Sequence, residues 1–262
     1  LKPAKDEQVT LTIPSGSDLY RTGYEFLGWA TTEDAAEAAY TSANPTYTMG
    51  DESVILYAVW KPVQVAIEYN AESGQDQYFS WGDNNPTTFT YGKEVEFTIK
   101  VDTTKAGANT LHVSVNGNAK SVGAPTVDSA NENIHIYTFK VGGNVTEKQT
   151  VMVGGLTARS YNVSLNLGQG GTIEAEENVT YYVYGASTTL PTNGMAKKGY
   201  TFKGWYDGEG GTGNQVMSIS STDSGDKTFY AKWTANTYTV KYDGNGASRQ
   251  PEAGTAIYDQ PY

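Results

Sequence analysis

Residues Gly23–Trp29 read GYEFLGW, and residues Gly199–Trp205 read GYTFKGW. Five of the seven positions are identical. Two copies of so aromatic a heptapeptide are either a duplicated active-site loop or a duplicated piece of scaffold. The flanks bear on the choice. QVTLTIPSGSDLYRT leads into the first copy from Gln8, and VILYAVWKP follows it from Val54. STTLPTNGMAKK leads into the second from Ser187, and KTFYAKWTA follows it from Lys227. Each copy therefore predicts a short strand, a Pro/Gly/Ser/Asn loop, the GYxFxGW strand, a variable loop and a YAxW strand.

Strand alternation sorts the aromatic residues. Tyr24, Phe26 and Gly28 fall on one face, and Leu27 and Trp29 on the other. In the second copy that other face reads Thr201, Lys203, Trp205, which predicts only half burial. Gly28 and Gly204 leave two readings open. Each either makes room for a neighbouring ring or hosts a bulge that turns the Trp back towards the Tyr/Phe face. Trp60 and Trp233 end the last strands and are expected to close the opposite edge. A unit of about 75 residues needs several such large apolar side chains to be stable alone.

The second copy is preceded by YNVSLNLGQGGT from Tyr161, and that signature returns as YTVKYDGNGA from Tyr238. In both, alternating apolar residues run into a Gly/Asn turn, which predicts a tight hairpin. One complete unit then spans 159–235. The first copy lacks the opening hairpin, and the last residues supply an opening hairpin with no remainder. The chain opens with neither an initiator Met nor a basic-then-apolar leader, and it reads as a piece of a longer array.

The order of a Y-x-V-x-(Y/L)-(D/N) strand, a Gly-rich turn, a Pro-containing loop, GYxFxGW and YAxW resembles the Listeria–Bacteroides repeat. This is the B-repeat type of internalin-like and other bacterial surface proteins. The resemblance covers 1–61, 159–235 and 236–262. It implies a small β-grasp-like domain, repeated in extracellular stalks of adhesins, without enzymatic activity.

Between Pro62 and Ala158 the motif disappears. VQVAIEY, TTFTY, EVEFTIKVD, TLHVSVNG, IHIYTFKV and KQTVMVGGL are separated by Asn, Asp, Gly and Pro. Six or seven short alternating strands predict an immunoglobulin-like sandwich on pattern alone, since the chain has no Cys. The expected fold class is mainly β. Small β-grasp-like repeat domains flank a central immunoglobulin-like β-sandwich, in the order 1–61, 62–158, 159–235 and an opening hairpin at 236–262. The best helix candidate is one short turn in TTEDAAEAAY, with Thr32 as cap and Glu33 and Asp34 at its N-terminus.

Composition narrows the chemistry. A net charge of −11 disfavours nucleic acid and anionic lipid as partners. No apolar run approaches the ~20 residues that span a bilayer. Without Cys there are no disulfides, thiolate metal sites or cysteine nucleophiles. His112 and His135 lie in alternating strands and read as register-fixed residues. No G-x-S-x-G is present, and Glu176–Glu177 and Asp51–Glu52 lie in polar loops. GEGGTG from Gly208 matches G-x-G-x-x-G, but the NQVMSIS after it reads as a strand where a dinucleotide site needs a helix. LPTNG from Leu190 is internal with no apolar tail, so it does not read as a sortase signal. Asp243, Gly244, Asn245 and Gly246, like Asp83, offer oxygens to calcium, yet tight turns explain them more simply. No catalytic residue, cofactor or metal is expected.

The one binding candidate is DQYFSWGDNNP, in which Tyr78, Phe79 and Trp81 lie beside Asp83 and Asn84. Exposed, these groups suit a sugar: flat rings for its apolar face and polar partners for its hydroxyls. Core residues at a strand-to-turn junction look the same in sequence. The expected function is a non-catalytic repeat region of a secreted bacterial cell-surface or cell-wall protein, acting as stalk or spacer with a part in adhesion. The alternative is a carbohydrate-binding module region of a secreted glycan-degrading enzyme. Partners in view are a host or matrix protein or glycan, and a second copy engaged head to tail through 236–262.

Overall fold

The computed structural model describes residues 4–15 and 18–261. Gly16 and Ser17 of the loop after the first predicted strand lie outside the described residues, as do the ends of the first and last predicted segments. Among the described residues the regular structure is strand, apart from two short 3₁₀ turns at Ala175–Glu177 and Glu209–Gly211. The chain divides into two compact units. One holds Leu1–Val101 with Leu111–Gly155, the other Asp102–Thr110 with Leu156–Tyr262.

In the first unit the GYxFxGW strand, Tyr24–Ala30, pairs antiparallel with the YAxW strand, Tyr57–Pro62. A second small pair joins Gln8–Thr10 to Thr46–Thr48. The six predicted runs of the middle segment all form strands, arranged in two sheets. The five-stranded sheet runs Asn118–Lys120, His112–Val115, Gln149–Gly154, Gln64–Ala71, Thr88–Thr90. The four-stranded sheet runs Thr126–Val127, Ile134–Gly143, Lys93–Asp102, Phe79–Trp81. Alternation selects the inward side chains, so Val65, Ile67, Val113, Val151 and Val153 of one sheet and Phe97, Ile99, Phe139 and Val141 of the other are buried. Each such burial contributes about 1.5–3 kcal/mol. Tyr69 of the first sheet meets Phe97 of the second at 5.6 Å between ring centroids.

The second unit centres on a five-stranded sheet, Tyr181–Val183, Ser160–Asn166, Lys227–Ala235, Tyr200–Gly208, Thr212–Val216. Ser160–Asn166 lies parallel to the YAxW strand, which is antiparallel to the GYxFxGW strand on its other side. Val163, Tyr182, Leu190, Trp205, Ile219, Phe229 and Ala231 form its core. The expected tight hairpin at 161–172 is not what forms. Ser160–Asn166 and the next strand, Gly171–Ile173, do not pair with each other. After a turn closed by Gly171 N–H to Gly168 O, Gly171–Ile173 pairs instead with Met195–Lys197. The last segment differs in the same way. Thr237–Val240 pairs with Gly254–Ile257, well past the Asp243–Gly246 turn.

Both glycines of the heptapeptide host bulges. The pairing register shifts between Phe26 and Gly28 and between Phe202 and Gly204. Gly28 sits at φ +140 and Gly204 at φ +126, conformations that disfavour any side chain. The extra residue reverses the alternation, bringing Trp29 to 5.2 Å from Phe26 and Trp205 to 5.3 Å from Phe202. Half burial of the Trp205 face is thereby corrected: Thr201 and Lys203 stay exposed, but Trp205 is only 1% exposed. The helical turn expected in TTEDAAEAAY does not form either. Those residues make turns and bends, tied at one end by the pairing of Trp29 with Tyr40. Capping and dipole contributions of a single turn are too small to nucleate helix in a loop tethered this tightly.

Candidate functional site

Phe79 and Trp81 lie on the edge strand Phe79–Trp81, with Tyr78 in the turn before it and Asp83 and Asn84 after it. Tyr78 and Phe79 are each 9% exposed. Trp81 is half-buried, with its ring 5.1 Å from Phe79 and 5.0 Å from Tyr69. The Tyr69 hydroxyl donates to Pro86 O at 2.8 Å, and burial pushes its pKa up to about 12. Beyond the strand, Asn85 bridges to a neighbouring backbone: its amide donates to Thr98 O while its oxygen accepts from Thr98 N–H, both at 2.8 Å. Asp83 and Asn84 point to solvent. The Lys100 ammonium donates to Asp83 at 2.6 Å, and this hydrogen bond holds the carboxyl below its usual range and raises the lysine. The candidate residues are thus adjacent, but two of the three rings face inward and the polar groups face outward.

The duplicated heptapeptides serve structure in both copies. Trp29 Nε1 donates to Thr12 O at 2.9 Å and Trp205 Nε1 to Pro191 O at 2.8 Å, so each indole ties its strand to the preceding loop. Trp233 Nε1 donates to Leu167 O at 2.9 Å, and with Phe202, 5.4 Å away, it packs under the incoming 160–173 segment. Trp60 keeps the corresponding ring contact with Phe26 at 5.4 Å. Its indole N–H has no hydrogen-bond partner among the described residues. The outer edge of Tyr57–Pro62 likewise carries no strand among the described residues.

A groove of about 320 Å3 in the first repeat is lined by Pro14, Leu19, Tyr20, Tyr24, Glu25, Phe26 and Trp60. Sequence reasoning did not find this groove. The signal was available in the second copy, where an alternating strand precedes the same aromatic set. A groove of about 370 Å3, lined by Asn116, Asn118, Asn144 and Glu147 among others, is rich in amides but has no ring to stack on a sugar.

The remaining polar candidates have local partners. His112 Nε2 lies 2.9 Å from Glu72 Oε1 at the surface. Asp243 Oδ1 accepts from Asn245 N–H at 2.9 Å, closing an Asx turn. Among the described residues no group of three or more His, Cys, Asp or Glu side chains is placed to hold a metal. No helix among them is long and apolar enough to cross a membrane.

The family model described as the Listeria-Bacteroides repeat domain matches residues 4–59 and 161–232. The chain is 28% identical over 245 residues, 94% of its length, to a protein of Evansella cellulosilytica named as a Gly-rich membrane protein, of which it covers 25%. It is 37% identical over 92 residues to another protein named as a membrane protein from that organism, covering 35% of this chain and 13% of the other. Over 58 residues it is 40% identical to Internalin H of Listeria monocytogenes, covering 22% and 10%. The chain therefore spans a quarter or less of each of these relatives. No solved structure matches it. With the same bulged Gly-Tyr strand and the same YAxW partner in both, this chain carries two members of the Listeria-Bacteroides repeat family, at 4–59 and 161–232.

Proposed function

We propose that the chain is a non-catalytic repeat region of a bacterial cell-surface protein, acting as a stalk that spaces and presents other parts of that protein. The observation that carries this reading is the use made of the duplicated aromatics. Phe26, Trp29, Phe202 and Trp205 pack on one another and tie strands to loops, so the duplicated motif is spent on scaffold. The division into β-grasp-like repeats at 1–61 and 159–235, an immunoglobulin-like sandwich at 62–158 and a further opening segment at 236–262 belongs to the same proposal. The names of the relatives, an internalin and two membrane proteins, support a cell-surface setting. Probing glycan and matrix-protein arrays with the chain tests the reading. A stalk gives no saturable signal at micromolar concentration, whereas specific binding that saturates there overturns it.

A carbohydrate-binding region is the competing reading, favoured only by the exposed Asp83 and Asn84 beside Trp81. Quenching or protection of Trp81 fluorescence by an oligosaccharide, lost in Trp81→Ala, selects it.

The open edge of Tyr57–Pro62 adds a head-to-tail contact to the stalk reading. In the second repeat the equivalent edge takes Ser160–Asn166 in parallel, with Leu167 O receiving the Trp233 indole. Tyr238–Tyr242 of a second copy carries the same alternation and is the proposed occupant of the first repeat's groove. Sedimentation equilibrium decides it. Concentration-dependent association that disappears on deleting 236–262 supports the contact, and a monomer at high concentration ends it.

A further inference from the structure

We infer that the turn before each GYxFxGW strand is a socket, filled by a tyrosine from whatever module follows. Val63 N–H donates to Gly23 O at 2.9 Å, and Tyr91 N–H donates to Val63 O at 3.0 Å. In the second repeat Asn236 N–H donates to Gly199 O at 2.8 Å, and Tyr258 N–H donates to Asn236 O at 3.0 Å. The rings repeat the pattern. Tyr24 and Tyr91 meet edge to face at 5.7 Å and 68°, Tyr200 and Tyr258 at 5.6 Å and 76°. A cation covers the Tyr of the motif in each case, Arg21 at 3.9 Å from the Tyr24 centroid and Lys197 at 4.4 Å from that of Tyr200.

The socket explains why the motif opens with glycine. A Cβ on Gly23 would lie 2.3 Å from the Tyr91 ring, and one on Gly199 would lie 2.3 Å from the ring of Tyr258. Both glycines also sit at positive φ, +80 and +77. Conformation and close approach therefore make the same demand at the same position. The plug is not a property of one fold. Tyr91 ends the hairpin of a two-sheet segment, and Tyr258 ends an isolated two-stranded pair.

A third instance, built from other residues, lies within the second unit. Arg159 N–H donates to Lys105 O and Tyr184 N–H to Arg159 O, both at 2.9 Å. Ala106 faces Ala158 there, as Tyr24 faces Pro62 and Tyr200 faces Ala235. Lys105 has a side chain, so no ring can lie on it. Instead Arg159 Nη1 donates to Thr103 O at 2.7 Å and the Tyr161 hydroxyl to Thr104 O at 2.5 Å. The backbone relay is common to all three, and the ring-on-glycine contact belongs to the two repeats.

Without such a contact, neighbouring modules swing about their linker by default. The socket holds the first repeat at one angle to the segment after it, and it does so whether the chain works as a stalk or binds glycans. The Cys-free sequence allows a direct test by paired nitroxide labels at Thr48→Cys and Ser73→Cys in the full chain. A single narrow distance distribution is expected in the parent and in Tyr91→Phe, which keeps the ring. In Tyr91→Ala and Gly23→Val it broadens about twofold as the swing is released, while circular dichroism shows the sheets intact. A broad distribution in the parent, or an unchanged width in both disruptive variants, overturns the socket and leaves the glycan and association results untouched.

Discussion

The two repeats share a motif and differ in how far they enclose it. In the second, Ser160–Asn166 and Tyr181–Val183 extend the sheet beyond the YAxW strand, and seven hydrophobic residues are buried. In the first, the YAxW strand is an edge, and Ala30 and Val59 are its buried hydrophobic residues. Trp205 is 1% exposed, whereas Trp29, with the same bulge and the same kind of indole hydrogen bond, is only half-buried. The heptapeptide therefore specifies a local shape, and the strand delivered by a distant segment turns that shape into a core.

The largest expected difference follows from burial. Trp205→Ala should cost about 3–5 kcal/mol and unfold the second repeat at much lower urea, as for other core aromatics. Trp29→Ala should cost about 2 kcal/mol, because less area leaves solvent there. Equal urea midpoint shifts would break the comparison. The bulge glycines reverse the ranking. A Cβ at Gly28 would meet the Tyr40 carbonyl oxygen at 2.2 Å, which is backbone, whereas one at Gly204 would meet the movable end of Gln215 at 2.4 Å. Gly28→Ala should therefore cost about 2–3 kcal/mol and Gly204→Ala nearer 1, both including the strain of positive φ.

Much of this was legible in the sequence. The repeat order, the six middle strands and the two open readings of Gly28 and Gly204 came from spacing and alternation alone. The partner of Gly171–Ile173 was not legible, because a Gly-rich turn looks the same whether its arms pair or part. The half-burial of Trp81 was equally hidden, since its ring meets Tyr69 of another sheet, which no local pattern reports. The glycine of GYxFxGW gave the clearest unread signal: its reason lies 68 residues on at Tyr91 in one copy and 59 on at Tyr258 in the other.

Two smaller effects sharpen the contrast. Trp233→Phe removes the hydrogen bond to Leu167 O and should cost about 1 kcal/mol, while Trp60→Phe should be close to neutral. The smallest is a pH effect. Asn162 N–H donates to Asp226 at 2.8 Å, which holds that carboxyl below its ordinary value. A carboxyl lowered on folding stabilises above its unfolded pKa, and that share is lost as pH falls through the folded value. Acid unfolding of the second repeat should therefore become less steep below the ordinary carboxylate range in Asp226→Asn, with no change in the first repeat.

Native-state hydrogen exchange on the two YAxW strands tests the central claim most directly. If the parallel strand is what closes the core, amides of Lys227–Ala235 exchange at least about 100-fold more slowly than those of residues 57–61, whose strand is paired on one side only. Equal protection of the two strands would contradict the account, because the heptapeptide and its partner would then suffice to make a core without the distant segment.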